Sequence, residues 1–484
     1  MESKDAPIFS GERESFVACQ DGQGLALQAT LLRFSRYQVA FEIYSPTIVL
    51  HMSEALKEFK IVLQDRTVYS GRAVVTSLVH VGPALVCEAT LDESWLDLQP
   101  LLPDRDKPLS VEFGKFLQGW QKSYRVLPEF KVVVADMQSL FSDMRLWLEQ
   151  VELGLRAVPN GDWAARERNA AAELAPPVLS AIDALGDRFE EIAGQLTPEL
   201  RGAHIHFTRR HLHSLLLCSP FSYRTYSKPL GYAGDYEMVN MIIRNPYEGE
   251  SLFAKVVNAW FLTQLPAQAH RNRITILKER LVTECARMAR LGRAAQIFNL
   301  GCGPAGEIQE FLAEESICDN AHFTLLDFNE ETIQNTSNLL QGIAKKHSRR
   351  AQIKMVQRSV QQVLKDAMRS GPGPADGKYD FLYCAGLFDY LPDRVCKQLM
   401  NVFHRWLAPG GLLLATNVDG TRPFHNKLEF ILDWHLIYRN GGQMMSLKPD
   451  EASPDACVVQ SDLTAVNLFL EVRKPLHEYR NLGK

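Results

Sequence analysis

The segment Ile297–Glu307, with the sequence IFNLGCGPAGE, restricts the possible folds of this 484-residue chain more than any other feature. An apolar run leads directly into Gly301, Gly303 and Gly306, and a helical pattern follows. Glycine is needed where a backbone turns sharply and approaches a ligand without a Cβ in the way. Backbone N–H groups at such a turn bind the polar groups of a nucleotide cofactor. The segment therefore predicts a strand–turn–helix unit that holds a nucleotide.

The next predicted strand ends at Asp327. A carboxylate at this position accepts hydrogen bonds from both ribose hydroxyls of an adenosine. The three glycines and Asp327 also fit the dinucleotide site of a dehydrogenase, or a strand–turn–helix unit with a purely structural role. Taken alone, these residues predict an adenosine-type cofactor without specifying which one.

After residue 293 the chain alternates short apolar runs with helical patterns, as in the β-α-β units of a parallel sheet. The strand candidates, including a closing pair, are Gln296–Leu300, His322–Asp327, Gln352–Gln357, Tyr379–Cys384, Gly411–Thr416, Ala456–Gln460 and Val466–Val472. The sequence LGCGPAGE, at residues 300–307, resembles the first motif of class I methyltransferases that use S-adenosylmethionine. The strand number and the closing hairpin fit that family and leave no second substrate domain for a dehydrogenase. The resemblance implies a Rossmann-like α/β core of seven strands, with S-adenosylmethionine as cofactor and S-adenosylhomocysteine as product.

The same resemblance implies which residues bind the cofactor. The glycines approach the methionine part, Asp327 holds the ribose, and the residues after it flank the adenine. The residues after the third predicted strand line the adenine edge, and those after the fourth lie beneath the sulfonium. The implied set is Asn299, Gly301, Cys302, Gly303, Asp327, Phe328, Asn329, Ser359, Val360, Cys384, Ala385 and Gly386. Asn299 departs from the family, since many members have an acid there.

Two segments outside the core are candidates for binding the methyl acceptor. Phe221–Glu237 contains four tyrosines, and an insertion after the fifth predicted strand contains His425 and Asp433–Arg439. Such an insertion falls at the sheet edge where ligands bind. The residues proposed for catalysis are Tyr226, Tyr232, Asp235, Tyr236 and His425. Those proposed for acceptor binding are Arg224, Lys228, Asp389, Tyr390, Trp434, Tyr438 and Arg439. The alternative is an aromatic packing interface between the helices and the core.

Three motifs, at residues 228–240, 245–255 and 432–439, resemble a bacterial family that includes the 3-hydroxypalmitic acid methyl ester synthase. The resemblance covers about residues 125–475 and implies methylation of a fatty-acid carboxyl group to give a signalling ester. A carboxylate is already nucleophilic and needs no base. The three proposed cations would pair with it, and the tyrosines would orient it. Because Asp235 and Asp389 would repel an anion, an amine or hydroxyl acceptor, with Asp235 or His425 as base, remains the rival hypothesis.

Residues 10–100 predict a small β-barrel, with strand candidates at Phe16–Cys19, Leu25–Leu31, Tyr37–Ile43 and Ala73–Val79. The run from Leu31 to Phe41 resembles a PilZ domain, the receptor module for cyclic-di-GMP. It keeps Ser35 of the PilZ strand motif, but Arg33 and Gln38 replace the acid or amide and the glycine, and no RxxxR arm precedes it. A degenerate barrel that contacts a protein partner is therefore favoured over a working receptor. A signalling or scaffold protein is the second functional hypothesis.

Residues 125–290 predict a helical cap and residues 291–475 the methyltransferase domain. Two amphipathic stretches, at residues 133–155 and 179–196, indicate long helices, with a break at Pro159-Asn160-Gly161. The histidines at 204, 206, 211 and 213 suggest a metal site. However, a His-x-His spacing turns the two rings to different sides of a helix, and we predict no metal.

Composition excludes some functional classes. With 53 basic and 57 acidic residues, the formal net charge of −4 gives no electrostatic footprint for nucleic acid. The chain has no signal-peptide pattern and no apolar run of about 20 residues that would cross a membrane. Nine scattered cysteines without a Cys-x-x-Cys pair are typical of a reducing compartment. We therefore expect a cytoplasmic protein with a small-molecule substrate, of undetermined oligomeric state.

Overall fold

The computed structural model describes five stretches of the chain. They are residues 15–92 without 23, 36, 45–49, 64–65 and 82–83; 110–118 without 112 and 115–116; 126–157; 162–367; and 375–476. The chain divides into two compact units, one formed by residues 1–50 and 54–125 and the other by 51–53 and 126–484. The predicted break at 159–161 lies outside the described residues.

The first unit is a closed antiparallel barrel. Its strands are β1 (Phe16–Gln20), β2 (Ala26–Phe34), β3 (Gln38–Ile43), β4 (Ala55–Leu63), β5 (Arg66–Val81) and β6 (Ala84–Leu91). Around the barrel they follow the order β1-β2-β3-β6-β5-β4. Inward-facing apolar side chains fill the interior, where the rings of Phe41 and Phe59 lie 5.8 Å apart. The predicted small barrel is confirmed.

The sequence pattern did not predict β4 and β6. In β4 the pairing with β5 shifts between Leu56 and Phe59, and Glu58 has a φ of 48°. A bulge of this kind interrupts the alternation of side chains by which a strand is recognised. In β6 all eight side chains are buried or partly buried, so the strand shows no polar–apolar alternation.

The second unit contains a sheet of seven strands. They are β7 (Ala295–Leu300), β8 (Ala321–Asp327), β9 (Gln352–Gln357), β10 (Tyr379–Cys384), β11 (Leu407–Val418), β12 (Cys457–Ser461) and β13 (Asn467–Arg473). Their order is β12-β13-β11-β10-β7-β8-β9. β13 runs antiparallel to both β11 and β12, whereas β7–β11 pair in parallel. The predicted fold class, a Rossmann-like α/β core, is confirmed.

Helices cover this sheet and extend beyond it. Those before the sheet are α1 (Pro128–Arg156), α2 (Trp163–Gly194), α3 (Pro198–Leu216), α4 (Pro220–Ser227), α5 (Tyr236–Ile243), α6 (Leu252–Thr263) and α7 (Leu265–Arg290). Those within it are α8 (Gly306–Glu314), α9 (Glu330–Lys346), α10 (Val360–Ala367), α11 (Asp393–Trp406), α12 (His425–Leu432) and α13 (Gly441–Ser446). α2 is longer than predicted, because it continues through Pro176 and Pro177.

Two of these helices form packing contacts between the predicted cap and the core. α12, from the insertion after β11, packs against α2, α3 and α4, while α7 packs against α8. At Gly306, the first residue of α8, an added Cβ would lie 3.0 Å from the Cδ1 atoms of Ile243 and Ile274. The third glycine of the turn therefore permits close packing of α5 and α7 over the start of α8. In the described part of the chain, no helix is both long and apolar enough to cross a membrane.

Candidate active site

The glycine turn lies between β7 and α8, as the sequence predicts. Gly301 and Gly303 have φ angles of 71° and 51°, in the left-handed region that glycine adopts without strain. The N–H groups of Gly301 and Cys302 donate to the carbonyl of Leu326, at 2.8 and 2.9 Å. A Cβ built on Gly303 would meet nothing within 4 Å. The turn is therefore fixed to β8, with open space in front of Gly303 for a ligand.

Asp327 ends β8 beside this space and is only 6% exposed. Its Oδ2 atom accepts from the N–H of Gly303 at 3.1 Å, and its Oδ1 atom accepts from the N–H of Asn329 at 3.1 Å. Burial raises the pKa of Asp327 from 3.8 to about 6, although these N–H groups oppose the shift. Each oxygen retains capacity to accept a second hydrogen bond. The carboxylate is thus held in position and can bind a pair of hydroxyls.

A buried carboxylate that the sequence analysis did not single out, Glu307, lies behind the turn. Its Oε1 atom accepts from the hydroxyl of Tyr383 at 2.7 Å and from Nδ2 of Asn299 at 3.3 Å. Burial raises the pKa of Glu307, while Tyr383 and Arg273 oppose the shift. Asn299, at a position where the resemblance implies an acid in many members, donates to a carboxylate at the start of α8. The signal was present, since Glu307 directly follows the last glycine of the motif.

The residues after β8 and β9 have largely local roles. Asn329 caps α9, its Oδ1 atom accepting from the N–H of Thr332 at 2.9 Å. The ring of Phe328 lies 5.2 Å from that of Tyr232. Ser359 and Val360 are both under 10% exposed, and the Oγ atom of Ser359 accepts from the N–H of Gln362 at 3.3 Å. Their predicted contacts with adenine remain predictions.

The loop after β10 begins at Cys384, which is fully buried. Ala385 and Gly386 are partly exposed. The N–H of Gly386 donates to Oγ1 of Thr416 at 2.9 Å, and this glycine has a φ of 87°. The loop therefore passes over the end of β11 and presents its backbone at the carboxyl edge of the sheet.

Arg273, on α7, lies directly against this loop, and no sequence motif marks it. A Cβ built on Gly386 would be 2.9 Å from Nη1 of Arg273. The guanidinium donates to the ring of His270, with Nη2 to Nδ1 at 2.9 Å. Burial and the guanidinium hold the pKa of His270 well below its usual value. His270 is thus a neutral acceptor for Arg273.

Tyr390 joins the two predicted acceptor segments. Its hydroxyl accepts from the indole N–H of Trp434 at 2.9 Å. A Cβ built on Gly234 would be 2.6 Å from the same hydroxyl oxygen, so the Gly231–Asp235 turn packs on it. Burial raises the pKa of Tyr390 well above 10, which keeps its hydroxyl protonated. Next to it, Asp389 is 3% exposed and accepts from the N–H of Val418 at 2.6 Å.

Asp235, Arg224 and Tyr236 form contacts among themselves and with α9. The Oδ1 atom of Asp235 accepts from Nε of Arg224 and from the N–H of Met238, both at 2.8 Å. Asp235 therefore caps α5 and pairs with Arg224. The hydroxyl of Tyr236 donates to Oε1 of Glu331 at 2.8 Å. These three predicted site residues all have bonding partners within the protein.

Lys228 and Tyr226 belong to a second charge cluster, centred on Asp433. The Asp433 carboxylate is fully buried and lies 2.7 Å from Nη2 of Arg209 and 3.8 Å from Nζ of Lys228. Burial alone raises the pKa of Asp433, but Arg209 and Lys228 overcome it and hold the pKa well below its usual value. Both cations lie over the ring of Tyr226, at 5.6 and 6.0 Å.

Arg439 is 2% exposed and uses its guanidinium to hold the loop after β10. Nη1 donates to the carbonyl of Phe388 at 2.7 Å and to Oδ1 of Asn417 at 2.5 Å. Nη2 donates to the carbonyl of Leu391 at 2.6 Å, and Nε to Oδ1 of Asp393 at 2.8 Å. This arrangement favours a positioning role for Arg439.

His425 and Tyr438 face one another, with ring centroids 5.7 Å apart. Both are partly buried. Among the described residues, neither Nδ1 of His425 nor the hydroxyl of Tyr438 has a hydrogen-bond partner. Nearby, Glu190 accepts from the N–H groups of Asn426 and Lys427, both at 2.9 Å, and so caps α12. These two polar groups, which have no hydrogen-bond partner among the described residues, lie within the second candidate acceptor segment.

Three of the four α3 histidines contact separate protein groups. His204 uses Nδ1 toward the carbonyl of Leu200, at 2.7 Å, and accepts at Nε2 from the N–H of Leu127, at 3.0 Å. His211 contacts Oε1 of Gln138 and His213 the carbonyl of Ile431, both at 2.9 Å. Across the described residues, no group of three or more His, Cys, Asp or Glu side chains is arranged to hold a metal.

Comparison with known proteins identifies the region around the glycine turn. Residues 298–413, from β7 into β11, match the family model described as a methyltransferase domain. No curated protein matches the sequence. A possible exported protein from Bordetella parapertussis is 17% identical, with 73% of this chain and 98% of that chain aligned and a TM-score of 0.38.

Two methyltransferase structures are also similar in part. Magnesium protoporphyrin IX methyltransferase from Synechocystis, solved with S-adenosylhomocysteine, is 11% identical over 44% of this chain and 88% of its own, with a TM-score of 0.30. An O-methyltransferase family protein from Burkholderia thailandensis is 12% identical over 45% of this chain and 62% of its own, with a TM-score of 0.30. The chain contains a methyltransferase domain, and its cofactor is S-adenosylmethionine, as predicted.

Proposed function

We propose that this methyltransferase transfers its methyl group to the carboxylate of a small acyl acid, bound beside Tyr390 and the loop after β10. The proposal keeps the acceptor class implied by the motifs at 228–240, 245–255 and 432–439. The proposal of a carboxylate acceptor rests on the position of Asp235. This carboxylate caps α5 and pairs with Arg224, so it is engaged elsewhere and poorly placed to deprotonate an acceptor. A carboxylate acceptor requires no such base.

The acceptor would contact Tyr390, because this residue connects both candidate segments. Its hydroxyl oxygen accepts from Trp434, which leaves its own proton available to donate. A neutral donor can hold an acceptor carboxylate in line with the sulfonium without neutralising the attacking oxygen. The rings of Tyr232 and Phe328, 5.2 Å apart, provide apolar surface at the same edge of the sheet. This combination suits an acid with an apolar chain, such as a 3-hydroxy fatty acid.

The first test supplies S-adenosylmethionine labelled in the transferred methyl group. The acceptors are 3-hydroxy fatty acids of several chain lengths, with the matching amines and alcohols as controls. We expect label in products that release methanol in alkali, as methyl esters do. Tyr390→Phe should lower turnover about 10- to 100-fold with unchanged S-adenosylhomocysteine affinity. Alkali-stable label on the amine or alcohol would contradict the proposal.

Two observations favour an amine or hydroxyl acceptor as the second candidate. Nδ1 of His425, the other predicted base, has no hydrogen-bond partner among the described residues. Asp389 lies in the loop after β10, and its burial raises its pKa, although the N–H of Val418 and Arg273 oppose the shift. A carboxylate with a raised pKa is a better general base near neutral pH. Asp389→Asn keeps an oxygen for the N–H of Val418 and so separates the two candidates. It should abolish methylation of an amine and spare that of a carboxylate.

For the barrel, we propose a degenerate PilZ-like module that contacts a protein. Arg33 forms an ion pair with Glu88. The Oγ atom of Ser35 accepts from the N–H of Gln38 at 3.1 Å. Two residues of the PilZ-like run thus have partners within the barrel. Calorimetry with cyclic-di-GMP should give no binding heat, and a micromolar dissociation constant would contradict the proposal.

A further inference from the structure

We propose that Arg273 binds the carboxylate of the methionine part of S-adenosylmethionine. The residue lies on α7, outside the segment that matches the methyltransferase domain. The proposal concerns the donor alone and is independent of which acceptor the enzyme uses.

Arg273 lies against the loop after β10. The position of an absent Cβ on Gly386 lies 2.9 Å from Nη1 and 3.0 Å from Nη2 of Arg273. Cζ is farther away, at 3.2 Å, so the Nη1–Nη2 edge of the guanidinium faces the loop that follows Cys384, at the carboxyl edge of the sheet. The resemblance stated above implies that the methionine part lies at the glycine turn and the sulfonium over this loop, and Arg273 contacts the loop at Gly386. Only a residue without a side chain at position 386 permits this approach.

Arg273 interacts electrostatically with buried carboxylates of the candidate site. Three carboxylates of the candidate site, Glu307, Asp327 and Asp389, are buried. They suit the positive sulfonium and amino groups of S-adenosylmethionine but would repel its carboxylate. Arg273 moderates this field, since it opposes the upward pKa shifts of Glu307 and Asp389. A guanidinium in this position can bind a carboxylate in a bidentate arrangement.

Other cations of the candidate site are paired with groups of the protein. Arg224 pairs with Asp235, Lys228 lies beside Asp433, and Arg439 donates to the protein through all three of its nitrogens. Arg273, by contrast, bonds to the neutral ring of His270 through Nη2. That ring orients the guanidinium without neutralising it, so its charge is available to a ligand.

Arg273 lies nearer to the expected position of the methyl donor than to the acceptor segments. The two acceptor segments meet at the hydroxyl of Tyr390. Arg273 instead lies over Gly386, nearer to the start of the loop. Burial raises the pKa of the Cys384 thiol, and Arg273 opposes this shift. The electrostatic effect of Arg273 therefore extends to the start of the loop. Cys384 begins the segment that the resemblance implies lies beneath the sulfonium.

The test is a thermodynamic cycle between one side chain and one ligand group. Wild-type protein and Arg273→Gln are titrated with S-adenosylhomocysteine and with its decarboxylated analogue, which lacks only the carboxylate. Wild type should bind S-adenosylhomocysteine about 10- to 100-fold more tightly than the analogue. Arg273→Gln should lose this difference, because removal of either partner breaks the same interaction. Arg273→Lys should retain part of it.

Arg280→Gln is the matched control. It removes a cation from the same helix, where Nε donates to Glu471 at 2.8 Å, away from the loop after β10. This variant should preserve the wild-type difference between the two ligands. Equal losses of affinity for both ligands in Arg273→Gln would indicate a general disturbance and overturn the proposal. An unchanged affinity for S-adenosylhomocysteine would overturn it as well, whatever acceptor is found.

Discussion

Replacing Asp327 with asparagine should stabilise the ligand-free protein while weakening its binding of the cofactor. Burial raises the pKa of this carboxyl to about 6, whereas an aspartate in an unfolded chain titrates near 3.8. The folded state therefore binds the proton more tightly than the unfolded state. Its advantage is present below pH ~4 and is lost as the pH rises through about 6. At pH 8 the buried, ionised carboxylate costs about 3 kcal/mol.

Asparagine removes this cost but loses one acceptor. Its Oδ1 atom can accept from the N–H of Gly303 or of Asn329, but its amide nitrogen cannot accept from the other, which costs about 1 kcal/mol. The net expectation is about 2 kcal/mol of stabilisation at pH 8, or roughly 4 °C in the melting temperature. Without the carboxylate, the two ribose hydroxyls lose charge-assisted bonds, and affinity for S-adenosylhomocysteine should fall about 100-fold.

Thermal melts with and without S-adenosylhomocysteine, and calorimetry between pH 5 and 8, measure both effects. Below pH ~6, wild-type affinity should fall by about tenfold per pH unit as Asp327 protonates, whereas the affinity of Asp327→Asn should stay flat. Asp366→Asn, which removes an exposed carboxylate from α10, is the control and should change neither quantity. A variant that melts below wild type at pH 8, or that binds the ligand as tightly, would refute the reasoning.

Three further substitutions test the assigned contacts. Arg439→Met leaves three buried acceptors around the loop after β10 without their donor, and chemical denaturation should show a loss of about 3 to 5 kcal/mol. Asp235→Asn keeps an oxygen to cap α5 but breaks the ion pair with Arg224. It should cost about 1 to 2 kcal/mol and leave S-adenosylhomocysteine affinity within twofold of wild type, and a loss of binding would contradict the structural role. Gly386→Ala forces a Cβ toward Arg273 at a φ of 87°, and should weaken S-adenosylhomocysteine more than its decarboxylated analogue in calorimetry.

Local patterns account for the parts of the molecule that the sequence predicts well. All seven sheet strands of the second unit lie where apolar runs and turns predict them, because the signals for a buried strand and its turn lie in consecutive residues. Gly301 and Gly303 adopt the positive φ angles that made glycine informative. β4 was missed where a bulge at Glu58 breaks the same local alternation.

The sequence by itself determined the donor side: a strand, a glycine turn and a carboxylate that lie within one β-α-β unit. Tertiary structure alone decided which charged residues are engaged. Lys228 lies beside Asp433, and Arg439 binds the loop of Phe388, while Arg273 reaches Gly386 from a helix without any motif. The availability of a charged side chain depends on partners distant in sequence, and their desolvation and pairing arise only when the chain folds. A short-range pattern can therefore predict a nucleotide turn, but it cannot identify the cation that remains available to a ligand.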